Sequence, residues 1–323
     1  MIRYTPAQRG CSINTTVTTL TMNPSVDLFG TTDHLVIDAK TRCRESSREP
    51  GGGGINVARN LAMLGHGVHT VFPAGGGNGQ LLETLLCRES IPYESICVAN
   101  ETRQNLALTE TATGRMVHLV FPGAALTRDE WQSCDAAIQR AMARAPYLVL
   151  SGSLPPGAPE DLYARLTEAA KAHAIRVVLD TSGAPLAAAV GRGVHLIKLN
   201  RKELAQLGYT GDWTPESQLE AMAQMVQEGA ADNLVVTQGD QGALLATSAG
   251  GRFRAVPPPV TVVSHVGAGD SFVALMVHSL IRQAPMADAL AQGVAGAAAA
   301  ISTDGNRIRD RFHIESLLNN VSC

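Results

Sequence analysis

The hexapeptide Val266-Gly267-Ala268-Gly269-Asp270-Ser271 sets two glycines and an acid at the head of an amphipathic segment. Phe272, Leu275, Met276 and Leu280 fall on the apolar side of that segment. Glycines let main-chain N–H groups at a helix N-terminus approach an anion, and the helix dipole adds positive potential there. Asp270, at the same end, can take a proton from a hydroxyl nucleophile while those amides hold charge developing on a phosphoryl group. An N-cap Asp after a glycine turn would show the same residues without chemistry. A second glycine element, residues 51–54, runs directly into Ile55-Asn56-Val57-Ala58-Arg59-Asn60-Leu61. Each glycine costs about 0.5–1 kcal/mol relative to Ala in regular structure, which points to main chain passing close to a ligand.

Other chemistries lack their signals. There is no G-x-x-x-x-G-K-[ST], no G-x-S-x-G and no H-E-x-x-H, so a Walker-type NTPase, an α/β-hydrolase and a zincin are not indicated. His66 and His69 are close in sequence, but no carboxylate completes a metal cluster around them. The six cysteines are scattered without C-x-x-C and read as reduced structural thiols. Arg103, and the pair Lys40 and Arg42, are long cations in β-like segments. They suit either a solvated face or a clamp on an anionic substrate.

The elements that must position these groups alternate. Apolar runs of strand length at 17–22, 147–153, 175–181, 195–200 and 233–239 are separated by helix-like stretches at 161–173, 185–190 and 216–228. That order predicts βαβ units and a parallel sheet. Residues 242–248 and 251–258 read as a hairpin, and 270–282, 286–303 and 311–319 as helices. Val57, Leu61 and Leu64 have helical spacing, with Gly65 as a stop. Ligands of open α/β sheets sit beyond the carboxyl ends of the strands. Those ends carry Ser151-Gly152-Ser153, Asp180, Asn200 with Glu203, and Thr237-Gln238-Gly239. The expected architecture is a large α/β body (16–26, 51–93 and 122–323). Two β-rich inserts, 27–50 and 94–121, pair into a small sheet that covers the body as a lid. Residues 1–15 read as a frayed, disordered tail.

Composition narrows the function. The chain has 323 residues, 45% hydrophobic and 17% charged, enough for a sizeable core. A net charge of −3 and 4% aromatics argue against nucleic-acid binding and base-stacking platforms. Residues 289–303 are uncharged but Ala/Gly-rich and too short for a membrane span, and read as a closely packed helix. No secretory h-region follows the N-terminal arginines, so a cytoplasmic protein is expected.

Taken together, the motifs resemble those of the ribokinase-like PfkB carbohydrate kinases from about residue 16 to the C-terminus. The resemblance rests on Asn23-Pro24-Ser25-Val26-Asp27, Lys40-Thr41-Arg42-Cys43, Pro50-Gly51-Gly52-Gly53-Gly54-Ile55-Asn56-Val57-Ala58-Arg59 and Phe72-Pro73-Ala74-Gly75-Gly76. It continues in Thr102-Arg103-Gln104-Asn105-Leu106, Pro122-Gly123-Ala124-Ala125-Leu126, Ser151-Gly152-Ser153-Leu154-Pro155-Pro156-Gly157, Asn200-x-x-Glu203 and the 266–271 hexapeptide. Lys40-x-Arg42-Cys43 favours the 6-phosphofructokinase branch, the group of the minor bacterial isozyme.

The resemblance implies a ribokinase-like doubly wound fold and ATP-dependent conversion of fructose 6-phosphate to fructose 1,6-bisphosphate. It implies Asp270 as catalytic base and the amides of Gly267, Ala268, Gly269 and Asp270 as an anion hole. Asp27, Lys40, Gly52, Gly53, Asn56, Arg103 and Ser153 would contact the sugar phosphate. Asn200, Glu203, Thr237 and Gly239 would contact nucleotide, with Glu203 reaching Mg²⁺ through bound water. Ser264, Val266, Ala300, Thr303 and Gly305 form a candidate K⁺ loop, and a homodimer through the β lid is implied. Two departures stand out: Lys198-Leu199-Asn200 lacks the family's usual proline, and His265 replaces a usual Thr beside the cation loop. Within the family the alternatives are tagatose-6-phosphate kinase and 1-phosphofructokinase. Outside it, a sugar-phosphate sensor on a kinase fold would not need the base.

Overall fold

The computed structural model describes residues 2–4 and 16–322. In chain order its elements are β1 (Ile2–Tyr4), β2 (Val17–Leu20), β3 (Ser25–Thr32), β4 (Arg44–Gly51), α1 (Gly53–Met63), β5 (Val68–Ala74), α2 (Gly76–Arg88) and β6 (Tyr93–Cys97). β7 (Arg103–Glu110), β8 (Met116–Leu119), α3 (Arg128–Met142), β9 (Tyr147–Ser151), α4 (Leu162–Ala172), β10 (Arg176–Asp180), α5 (Gly183–Ala189) and β11 (Leu196–Asn200) follow. The chain continues through α6 (Arg201–Gln206), α7 (Pro215–Gln227), β12 (Asn233–Thr237), β13 (Ala243–Thr247), β14 (Arg252–Ala255), α8 (Ala268–Ile281), α9 (Met286–Ile301) and α10 (Arg311–Leu318).

Ten strands form one sheet in the order β1-β6-β5-β2-β9-β10-β11-β12-β13-β14. Its interior, from β6 to β12, is parallel, and the predicted hairpin β13–β14 closes one edge antiparallel. Parallel strands are covered on both faces, which is why their sequences are continuous apolar runs. Within those runs the side chains still alternate. Val149 and Val178 join one core with α1, α2, α8, α9 and α10. Leu148, Leu150, Val177 and Leu179 join another with α3 to α7. The Ala/Gly-rich stretch is the buried helix α9, as expected. A Cβ at Gly296 would stand 2.7 Å from Leu275, so the small residues are what let α8 lie against it. No helix among the described residues is long and apolar enough to cross a membrane.

A second sheet of four strands has the order β4-β3-β7-β8. β3 and β7 run parallel over eight residue pairs, Ser25↔Arg103 to Thr32↔Glu110. Two sequence expectations are corrected here. Residues 94–97 belong to β6 of the large sheet, drawn there by five register pairs with β5, so the second segment of the small sheet begins at Arg103. Residues 2–4 are not frayed: they pair antiparallel with β6 at the edge of the large sheet. The rest of the expected tail, 5–15, lies outside the described residues.

Candidate active site

The predicted strand ends meet in register at one edge of the large sheet. Asp180 is opposite Ser151, and Asn200 is opposite Thr237. Beside them, Gly267 turns the chain into α8. Its φ of 77° is left-handed, and a Cβ there would lie 2.0 Å from the carbonyl oxygen of Asn306. Only glycine fits. Asp270 is therefore the third residue of α8, where orphan N–H groups and the dipole concentrate positive potential. Gly269 is pressed from below: a Cβ would stand 3.2 Å from the Lys198 ammonium, which Asp180 holds at 3.1 Å.

The electrostatics of this group are coupled. Burial raises the Asp270 carboxyl to about 7. A hydrogen bond from Asn56 Nδ2 at 2.9 Å and the charge of Lys198 oppose the rise, while Asp180 and Asp27 add to it. Burial alone would lower the Lys198 ammonium, but Asp180, Glu203 and Asp270 surround it and the balance is upward. A base near neutrality beside a fixed cation is suited to proton abstraction with anion stabilisation.

Asn200 and Glu203 form a capping box at the start of α6. The Asn200 side chain accepts from the Glu203 N–H at 3.0 Å, and Glu203 accepts from the Asn200 N–H at 2.7 Å. This closure holds the loop that lacks the proline. Burial raises the Glu203 carboxyl despite that hydrogen bond and the nearby Lys198. Next to it opens a cleft of about 540 Å³, lined by Thr237, Gly239, Pro257, Val260, Ala268 and Phe272 among others. His265 also lines this cleft, exposed at its rim.

On the other side the small sheet contributes Asp27, which is buried. It accepts from Ser25 Oγ at 2.7 Å, Asn105 Nδ2 at 3.0 Å and Asn306 Nδ2 at 3.0 Å. Arg103 donates to the carbonyls of Phe121 and Asn23 at 2.9 and 2.8 Å, and burial lowers its pKa. Among the described residues no carboxylate forms an ion pair with it, so its charge is available to an anion. Asn23 donates to Ser153 Oγ at 3.2 Å, at the exposed mouth.

All four consecutive glycines are explained by their own chain: Cβ atoms at 51, 52, 53 and 54 would meet Asp27, Thr21, Ser151 and Leu20 within 2.5 Å. The close approach at residues 51–54 is to the protein itself. Lys40 is not brought in. It stands in the exposed β3–β4 connection, and among the described residues no hydrogen bond or ion pair joins it to the site.

Of the cation-loop residues, Ser264 is brought to the end of α9, beside Ala300 and Thr303. The N–H groups of Val263 and Ser264 donate to the Ile301 carbonyl at 2.7 and 3.1 Å, laying that strap against the end of α9, where Thr303 Oγ1 donates to the Ala300 carbonyl. Gly305 packs on Glu49. Among the described residues no group of three His, Cys, Asp or Glu side chains is arranged to hold a metal ion. Cys43, Cys87, Cys97 and Cys134 are free thiols, and burial raises Cys134 to about 12, which leaves it inert.

Sequence reasoning missed several polar groups behind the site: Lys198, Arg59, Asn60 and Asn306. Arg59 and Asn60 had a signal, their i+3 and i+4 spacing from Asn56 on one helix face. Asn306 had none, because its partners Arg59 and Asp27 are 247 and 279 residues away.

Comparison with known proteins agrees with this geometry. A family model described as pfkB family carbohydrate kinase matches residues 18–310. The chain is 40% identical over 291 residues to the ATP-dependent 6-phosphofructokinase isozyme 2 of Escherichia coli, covering 90% of this chain and 94% of that one. It is 31% identical over 287 residues to the 1-phosphofructokinase of Bacillus subtilis, covering 88% and 93%. Among solved structures, E. coli phosphofructokinase-2 in complex with substrates and products superposes with a TM-score of 0.89 at 38% identity, over 94% of this chain and 99% of that one. The same enzyme in complex with potassium gives 0.88 at 37%, over 95% and 99%.

Proposed function

This chain belongs to the pfkB family of carbohydrate kinases, and from that premise we propose that it is an ATP-dependent 6-phosphofructokinase, making fructose 1,6-bisphosphate from fructose 6-phosphate. The observation that carries the reading is Asp270: a carboxylate near neutral pKa at the third position of a helix, where main-chain amides have no partner within the helix, with a buried lysine below.

In this reading the sugar lies between the two sheets. Arg103 takes its 6-phosphate, while Asp27, Gly52, Gly53, Asn56 and Ser153 hold its hydroxyls, aiming the 1-hydroxyl at Asp270. The adenine enters the apolar cleft beside Thr237 and Gly239, and the triphosphate runs past Asn200 to the amides of Gly267, Ala268, Gly269 and Asp270. Asp270 takes the hydroxyl proton as the alcohol oxygen attacks the γ-phosphorus in line; the bond from that phosphorus to the β–γ bridging oxygen breaks and ADP leaves with the bridging oxygen. The amides and Lys198 stabilise the charge spreading over the phosphoryl oxygens. Glu203 would hold Mg²⁺ through bound water, and the ion, when bound with nucleotide, would help neutralise the phosphate charge. K⁺ would be held by Ser264, Val266, Ala300, Thr303 and Gly305; the hydrogen bonds from the 263–264 strap to Ile301 support this reading.

The small sheet acts as lid, and we assign it the contact of a homodimer. Leu35, Val36, Ile37, Leu119, Val120 and Phe121, on or beside its strands, are all more than 40% exposed, an apolar surface that pairing of two copies would cover. Lys40 lies in the same region and would reach sugar phosphate only in the dimer. Free thiols fit a cytoplasmic setting.

ADP release measured over fructose 6-phosphate, tagatose 6-phosphate and fructose 1-phosphate tests the substrate. The highest kcat/KM is expected with fructose 6-phosphate. A preference for either other sugar would move the assignment within the family. Binding without phosphorylation of any of them would make the chain a sensor.

A further inference from the structure

Arg59, on the second turn of α1, has a side chain fully withdrawn from solvent. It uses every proton it has. Nε and Nη2 donate to the two Glu89 oxygens at 2.7 Å each, and Nη2 donates to Glu49 at 3.1 Å. The two protons of Nη1 are shared by Asn306 Oδ1 at 2.5 Å, Pro50 O at 3.2 Å and Asn56 Oδ1 at 3.3 Å. The far ends of those two amides reach the site: Asn56 Nδ2 donates to Asp270, and Asn306 Nδ2 donates to Asp27. The same Asn306 packs its main chain on Gly267.

We infer that Arg59 is a positioning residue that sets the polarity of both active-site amides at once. A guanidinium only donates, whereas the two ends of a primary amide are nearly alike in shape. With Arg59 behind them, Asn56 and Asn306 must turn their oxygens inward and their NH₂ groups toward the carboxylates. A flipped Asn56 would face donor to donor at Arg59 and acceptor to acceptor at Asp270, the arrangement that leaves buried groups unsatisfied. One cation thereby serves the phosphoryl-transfer end through Asn56 and the sugar end through Asn306. Its carboxylate anchors come from separate places, Glu49 on lid strand β4 and Glu89 just past α2, so the orientation depends on β4 being docked.

The inference rests on Asp270 being the base. Fructose 6-phosphate turnover by the unaltered enzyme checks that reading separately. The test is the pH profile of kcat/KM for Arg59→Lys, which keeps the charge and loses the fork. Asp270 faces Asp180, Lys198, Asp27 and Asn56. Of these only the Asn56 N–H is released in the variant, so the acid limb should move up by about 0.5–1 pH unit. kcat/KM should fall about 10–100-fold, and added to Asn56→Ala the same change should cost less than about twofold more. A merely structural Arg59 would lower the melting temperature, leave the acid limb in place and add its full loss to Asn56→Ala; that result overturns the proposal. If Arg59→Lys does not fold, Asn306→Ala decides. KM for fructose 6-phosphate should rise about tenfold with kcat within about twofold, as expected when one hydrogen bond positioning a ligand group is lost. An unchanged KM there overturns the proposal as well.

Discussion

At the α8 end of the cleft Asp270, Gly269 and Lys198 stand on regular structure whose place is dictated by packing, and Gly267 is the turn that starts α8. At the small-sheet end the groups stand on a thin, partly exposed sheet. Gly267 has no room for a side chain, Gly269 lies close against the Lys198 ammonium, Asp270 is fixed by a helix turn, and Lys198 is pinned by Asp180. Among the described residues the Arg103 side chain, by contrast, is held by two carbonyl oxygens, and Lys40 sits in an exposed connection. The contrast follows from what each end must do. Charge spreading in a phosphoryl transfer is stabilised best by dipoles that do not reorganise. A sugar phosphate has to enter and leave, which a sheet with weaker attachments permits. The α8 end is complete in one chain; the small sheet, with its exposed apolar residues, is completed by a second copy in our reading.

Substitutions at the two ends should therefore fail differently. The largest effect is expected from Asp270→Asn, which should lower kcat by about 10²–10⁴ with KM for both substrates near wild type; initial rates over a grid of the two substrates check this. At the same end, Gly267→Ala forces a side chain onto the Asn306 carbonyl at positive φ. It should destabilise the fold by about 2–4 kcal/mol in urea unfolding. The sugar end should show binding effects instead: Arg103→Ala should raise KM for fructose 6-phosphate about 10–100-fold with a small change in kcat. An unchanged KM would remove Arg103 from the phosphate contact and blur the contrast. Ile37→Asp should split dimers in analytical ultracentrifugation and raise KM for the sugar while leaving ATP binding alone.

The smallest effect is on stability. The folded Asp270 pKa, about 7, lies above its unfolded value, so the folded state binds the extra proton between about pH 4 and 7. That carboxyl therefore costs progressively more stability as pH rises through this window, and the full cost is present above it. Asp270→Asn should melt higher than wild type at pH 8, by about 1–3 kcal/mol, with a smaller gain at pH 5. A gain that does not grow with pH would contradict the raised pKa.

The alternation of apolar runs revealed the parallel sheet because strands covered on both faces cannot hide their composition. Strand ends at Ser151, Asp180, Asn200 and Thr237 were legible because the apolar run gives way there to polar residues. Asp270 and its glycines were legible as a helix start. The boundary at 94 was not: Tyr93–Cys97 mixes polar and apolar residues, and only pairing with β5 assigns it to the large sheet. Ile2–Tyr4 is likewise a strand only because β6 offers it an edge. The polar layer behind the site was least visible. Arg59 and Asn306 are joined by a contact between distant segments, which spacing in sequence cannot express.

The central claim is that a carboxylate at the head of α8 takes the proton of a sugar hydroxyl whose incoming phosphoryl group rests on the same helix end. A crystal structure with fructose 6-phosphate and a non-hydrolysable ATP analogue tests it most directly. The account predicts the sugar 1-hydroxyl about 2.6–3.2 Å from an Asp270 oxygen, with the γ-phosphate on the amides of residues 267–270. Ligands bound away from Asp270, or a sugar turned with its phosphate toward α8, would contradict it.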